Sequence, residues 1–206
     1  MTYELCHIDD YTEAQYGAMY RAAAPERQAR ANKFKHEDDR KRCLCADMLA
    51  RKMLAEAANV APEKIAFTYG EKGKPHANLP LHFNVSHAGA YVLCAVADTP
   101  IGADIEQIKP FRAGMVARYF TAAEAAYVWN GTPIPDGNVT DADTCARFYR
   151  VWTAKEAYVK MTGTGISTDL GAVSFDPDAH TVCGIRLITP QAPDGYMISI
   201  VKSDLA

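Results

Sequence analysis

The sequence predicts an α+β fold, with helices packed on antiparallel sheets. Two observations carry this. Each half of the chain contains one long helical pattern, and each half adds about three strand patterns to it. No low-complexity tract or short repeat interrupts them.

The elements follow in order. Residues 37–58 read as a helix, because Leu44, Met48, Leu49, Met53 and Leu54 recur on one helical face. Residues 64–69 alternate, with Ile65, Phe67 and Tyr69 on one side of a strand. Residues 71–75 read as a loop. Strands at 81–85 and 91–97 flank an expected turn at Ser86-His87-Ala88-Gly89, and Pro100 opens a strand that ends in Asp104 and Glu106. Helical pieces fill 112–130, where Thr121 and Glu124 have capping-box spacing. Residues 132–141, rich in Pro, Gly, Asn and Asp, read as a loop. A long helix from about 144 to 161 stops at Gly163, and strands follow near 172–175, 181–188 and 196–201.

At 206 residues the chain makes one large domain or two small ones. Its 49% hydrophobic content supports a true core. A net charge of -3 and a pI of 6.1 argue against a general nucleic-acid binder. No apolar stretch is long enough to span a bilayer, and the first residues lack the pattern of a signal peptide. The expectation is a cytoplasmic protein with no membrane partner. The six cysteines form no Cys-x-x-Cys pair and read as reduced, mostly buried thiols.

Two short segments carry chemistry. In Gly102-Ala103-Asp104-Ile105-Glu106, strand alternation puts Asp104 and Glu106 on one face. In Trp152-Thr153-Ala154-Lys155-Glu156-Ala157, followed by Lys160, Glu156 and Lys160 lie one helical turn apart. Three carboxylates beside a lysine suit Mg²⁺ and a polyphosphate: Mg²⁺ takes hard oxygen ligands, and lysine neutralises phosphate charge. The plainer readings are solvated carboxylates at a strand end and a surface Glu–Lys pair contributing about 0.3–0.5 kcal/mol. A basic stretch, Arg27, Arg30, Lys33, Lys35, Arg40, Lys41 and Arg42, stands out in an acidic chain, although such runs are often solvated helix edges. Phe111, Met115, Tyr119, Phe120 and Tyr127 lie between the two acidic motifs, and the sequence does not separate core from surface among them.

Phe83-Asn84-Val85-Ser86-His87, then Ile101 to Glu106, then Phe148 to Ala157, occur in that order. The ordered set resembles a 4′-phosphopantetheinyl transferase of the surfactin-synthetase type, over a stretch from about Arg27 to about Gly165. The resemblance implies two similar α+β subdomains related by a pseudo-twofold, with the active site in the cleft between them. Residues 1–100 would form the coenzyme A 3′-phosphate and adenine side, and 101–206 the metal site and catalytic helix. It implies that Asp104, Glu106 and Glu156 hold Mg²⁺, that Glu156 is the base for the attacking serine, and that Lys155 and Lys160 neutralise pyrophosphate. It assigns Arg27, Arg30 and Arg42 to the 3′-phosphate region, Lys74 and Pro75 to the adenine, and Ser86 and His87 to phosphate. Cys43 stands where such enzymes often carry a small hydroxyl residue. The implied partners are coenzyme A, as co-substrate, and an apo acyl or peptidyl carrier protein, with the chain acting as a monomer.

Two other readings fit some of the same residues. An acidic pair with a Glu-x-x-x-Lys can build a metal-dependent nuclease, against which the net charge counts. A non-catalytic binder of coenzyme A or of a carrier protein would not need the acidic trio intact.

Overall fold

A computed structural model describes residues 1–71, 73–165 and 169–204. Lys72, in the expected loop at 71–75, therefore lies outside the described residues. The chain divides into two compact units, Met1–Thr99 and Pro100–Ala206. Helices and antiparallel sheets make up both, as the α+β expectation required.

The first unit opens with strand β1 (Thr2–His7). Helix α1 (Glu13–Ala22) follows, started by a capping box in which Thr12 and Gln15 satisfy each other's backbone amides. Short helix α2 (Pro25–Ala31) has proline in its first turn, where no amide is missed. Helix α3 (Glu37–Ala58) has the expected bounds and ends at Asn59 in the left-handed conformation. Leu44, Leu49, Met53 and Leu54 of α3 are buried, each contributing about 1.5–3 kcal/mol, and Met48 packs at the margin. Short strands β2 (Phe67–Tyr69) and β3 (Pro75–Ala77) pair with each other. Strands β4 (His82–Ala88) and β5 (Tyr91–Ala97) form a hairpin, and the sheet order is β1-β5-β4. The core lies between α3 and this sheet.

The structure corrects two local expectations here. Ser86 and His87 lie within β4, and the turn is Gly89–Ala90, because its first position has φ 52 and glycine tolerates that. The strand expected at 64–69 is confined to β2, because Pro62–Lys64 forms a turn of 3₁₀ helix.

The second unit begins with β6 (Ile101–Gln107), then the two-residue strand β7 (Phe111–Arg112). Helix α4 (Gly114–Tyr119) and helix α5 (Ala122–Trp129) follow, with the Thr121–Glu124 capping box formed. Strand β8 (Asn138–Val139) pairs with β7 inside the expected 132–141 loop. Helix α6 (Ala142–Thr162) is capped by Asp141 and terminated by Gly163 at φ 71. Strands β9 (Phe175–Asp176), β10 (Thr181–Val182), β11 (Ile185–Ile188) and β12 (Tyr196–Lys202) complete a sheet of order β6-β12-β11-β10-β9. The single strand expected at 181–188 is thus a hairpin, turned at Cys183 and Gly184, both with positive φ.

Helix α6 lies on β6 and β12. Its core is aromatic: Phe148 stacks on Phe111 at 3.9 Å between ring centroids, and Phe120 and Trp152 lie parallel to it at 5.2 and 5.9 Å. Phe111 and Phe120 are buried, and Met115, Tyr119 and Tyr127 pack partly against the same core. None of the five is among the exposed large hydrophobic residues described. Five of the six cysteines are buried thiols, and Cys183 is exposed.

Candidate functional site

In the second unit the acidic motif is built by close contact between a strand and a helix. Gly102, Asp104 and Glu106 share one face of β6. A β-carbon on Gly102 would strike the backbone of Ala157 and Met161, so α6 lies on that face. The contact brings Lys160 of α6 within 2.5 Å of Asp104 Oδ1. Asp104 is 3% exposed, so it is a buried group and not the solvated carboxylate of the plainer reading. Glu106 and Glu156 are partly exposed.

The three carboxylates act on one another. Burial raises the Glu106 carboxyl above its ordinary range, and the charges of Asp104 and Glu156 add to the rise, while Lys160 and Lys109 oppose it. Burial also raises Glu156, with Asp104 adding and Lys160 opposing. Among the described residues, no group of three or more His, Cys, Asp or Glu side chains is arranged to hold an ion as it stands. The donor chemistry nevertheless fits Mg²⁺: three hard oxygen donors sit close enough to disfavour one another's charges, and a divalent cation relieves that repulsion.

Lys155 is elsewhere. Phe148, Val151, Lys155 and Val159 fall at helical spacing among the buried positions of α6. Lys155 is 1% exposed, and its Nζ donates to Glu124 Oε2 at 2.5 Å and to the Tyr119 carbonyl at 2.9 Å. Glu124, with no exposed surface, also accepts the amides of Thr121 and Phe175, both at 2.7 Å. The expectation that Lys155 neutralises pyrophosphate is therefore corrected: its ammonium is spent on a buried pair that ties α6 to α5 and β9. Burial lowers its pKa, and Glu124 opposes that shift.

In the first unit, a cavity of ≈ 190 Å³ is lined by residues that include Arg27, Arg30, Asp47, Phe67, Tyr69, Pro75 and His87. Alternation along β4 puts Phe83, Val85 and His87 on the cavity wall and Ser86, itself buried, on the opposite face. The two neighbours therefore do not face the cavity together. Lys74 is half-buried, and burial lowers its pKa. Arg42 lies apart from the cavity lining: its guanidinium donates to the Gly89 carbonyl and, at 2.6 Å, to Asp39. Cys43 Sγ lies 3.8 Å from Arg27 Nη1.

Sequence reasoning missed Asp47 and the pairing role of Glu124. Asp47 stands four residues before Arg51, an ion-pair spacing on a helix, and the two pair at 2.8 Å. Glu124 is visible only as a cap, since its second partner lies 31 residues away.

Comparisons with known proteins cover both units. Residues 100–202 match the 4′-phosphopantetheinyl transferase superfamily, and residues 10–99 match the family described as 4′-phosphopantetheinyl transferase, N-terminal. A 4′-phosphopantetheinyl transferase of Bacillus subtilis is 35% identical over 195 residues, spanning 88% of this chain and 83% of the relative. The 4′-phosphopantetheinyl transferase Sfp of Bacillus subtilis (strain 168) is 32% identical over 191 residues, 86% of this chain and 80% of its own. The 4′-phosphopantetheinyl transferase gsp of Aneurinibacillus migulanus is 30% identical over 182 residues, 84% and 73%. Matched across both units and most of its length, the chain belongs to the 4′-phosphopantetheinyl transferase superfamily, and its likeness is to the Sfp type.

Proposed function

We propose that the chain transfers the 4′-phosphopantetheine group from coenzyme A to a serine hydroxyl of an apo acyl or peptidyl carrier protein, leaving adenosine 3′,5′-bisphosphate. The observation that carries this reading is the pairing of two chemistries in a chain of this family: a carboxylate cluster with Lys160 in one unit, and an arginine-lined cavity in the other. The relatives are named transferases, and the nuclease reading is not favoured.

In this reading Arg27 and Arg30 bind the 3′-phosphate, and the Phe67–Pro75 wall borders the adenine. His87 and Lys74 serve phosphate and adenine respectively. Residues 1–100 thus supply the nucleotide side, and 101–206 the reacting side. Asp104, Glu106 and Glu156 would hold Mg²⁺, which when bound supplies positive charge against the pyrophosphate. Lys160 adds its own charge there. Glu156 takes the serine proton. Its carboxylate, partly exposed and close enough to Asp104 to feel its charge, supplies the proton acceptor. The serine oxygen then bonds to the β-phosphorus, and the bond from that phosphorus to the bisphosphate oxygen breaks. Lys155 has no contact with substrate here, and no covalent enzyme intermediate is required. The chain acts as a monomer in the cytoplasm.

The test is mass spectrometry of several apo carrier proteins after incubation with coenzyme A and Mg²⁺. A gain of the phosphopantetheine mass on one of them supports the reading. No gain on any, with binding of coenzyme A retained, would favour the non-catalytic binder.

A further inference from the structure

Tyr69 belongs to neither apolar core among the described residues. Sequence alternation sets it with Ile65 and Phe67, yet Ile65 is 3% exposed and Tyr69 is 50% exposed. A large aromatic ring left in solvent needs another reason to be there. Its partner across the β2–β3 ladder is Pro75. Residues directly opposite in a ladder share a face, so the ring and the proline form one wall. Both line the cavity that holds Arg27, Arg30 and His87.

Arg27 is gripped from two sides. Its Nη2 donates to the Tyr69 hydroxyl at 3.3 Å, and its Nε lies 3.3 Å from Asp47 Oδ1. Asp47 is buried, and its other oxygen accepts Arg51 Nε at 2.8 Å. Two guanidinium groups against one carboxylate leave one positive charge over, and Arg30 on the same cavity adds a second. A phosphate monoester carries nearly two negative charges near neutral pH. An exposed aromatic face beside this patch suits the base attached to that phosphate, because every base has a π-face.

We propose that Tyr69 determines nucleotide specificity, its ring stacking on the adenine and its hydroxyl fixing Arg27 for the 3′-phosphate. This rests on the transferase reading. Neither half of the role needs Tyr69 for folding, since the ring is exposed.

The experiment uses the full chain with an apo carrier protein. KM and kcat are measured for coenzyme A and for dephospho-coenzyme A, and calorimetry measures binding of both. Tyr69→Phe keeps the ring, so KM for coenzyme A should rise about threefold or more, with dephospho-coenzyme A unchanged. Tyr69→Ala removes both roles, so KM should rise about tenfold or more for both nucleotides, with kcat unchanged. A Tyr69→Ala protein that binds both nucleotides like wild type overturns the stacking role. A Tyr69→Phe protein that affects both equally, or neither, overturns the link to Arg27. If wild type modifies no carrier, the transferase reading fails instead, and the two calorimetric comparisons still decide the role of Tyr69.

Discussion

Lys155→Met should unfold the second unit more readily without touching the substrate site. The substitution keeps the length of the side chain and deletes its charge. It leaves the Glu124 carboxyl in the core without its ammonium partner, still holding the amides of Thr121 and Phe175, and strips the Tyr119 carbonyl of its donor. Removing one partner of a buried pair costs about 3–5 kcal/mol. The two amides that remain on Glu124 are charge-assisted and retain part of the stabilisation, which puts the loss near 3 kcal/mol. Glu124→Gln strands the ammonium and weakens both amide contacts, so it should cost at least as much. The double variant should cost less than the sum, because the second change no longer breaks a pair. Urea unfolding followed by circular dichroism reads these numbers, provided the slope with denaturant stays constant. The reasoning fails if Lys155→Met loses under about 1 kcal/mol while KM for coenzyme A rises sharply, since that would put the ammonium on the substrate.

Other outcomes follow from the same geometry. Gly102→Ala should lower stability by about 2–3 kcal/mol and weaken Mg²⁺ binding, because the strand must back away from Ala157 and Met161; thermal melting with and without Mg²⁺ checks both. Folded Glu106 and Glu156 hold their protons more tightly than the unfolded chain does, so their contribution to stability is present at low pH and is lost as pH rises through their raised pKa values. The metal-free melting temperature should therefore gain from this pair as pH falls through their raised pKa values towards the ordinary carboxylate range, and Asp104→Asn, which removes a charge acting on both, should reduce that gain. Glu156→Gln should reduce carrier modification by about 10²-fold or more, with a modest loss of coenzyme A affinity; near-normal turnover in a single-turnover assay would remove Glu156 from proton transfer.

Much of this architecture can be read from periodicity alone. Helix α3 follows from its apolar stripe, and α6 from its length and Gly163, because both bury one continuous face. Strand β1 and helices α1 and α2 escape such reading, being short and partly exposed, although the spacing of Thr12 and Gln15 is a start signal. The shared face of Asp104 and Glu106 is legible because strand alternation is strict. The burial of Asp104 is not, because it depends on a helix arriving over Gly102. Lys155 shows the same limit: adjacent residues on a helix point about a hundred degrees apart, so Lys155 and Glu156 go to different surroundings. Only the distant Glu124 reveals which.

The aromatic core of the second unit has a practical consequence. Both tryptophans of the chain, Trp129 and Trp152, lie in that unit, and Trp152 is stacked parallel to Phe148. Indole emission therefore originates in residues after Pro100, whereas Met1–Thr99 carries no tryptophan. Far-ultraviolet dichroism senses α3 and α6 alike. A denaturation curve recorded with both signals separates the melting of one unit from that of the whole chain: coincident midpoints mean a single cooperative body, and an early or late indole transition means two.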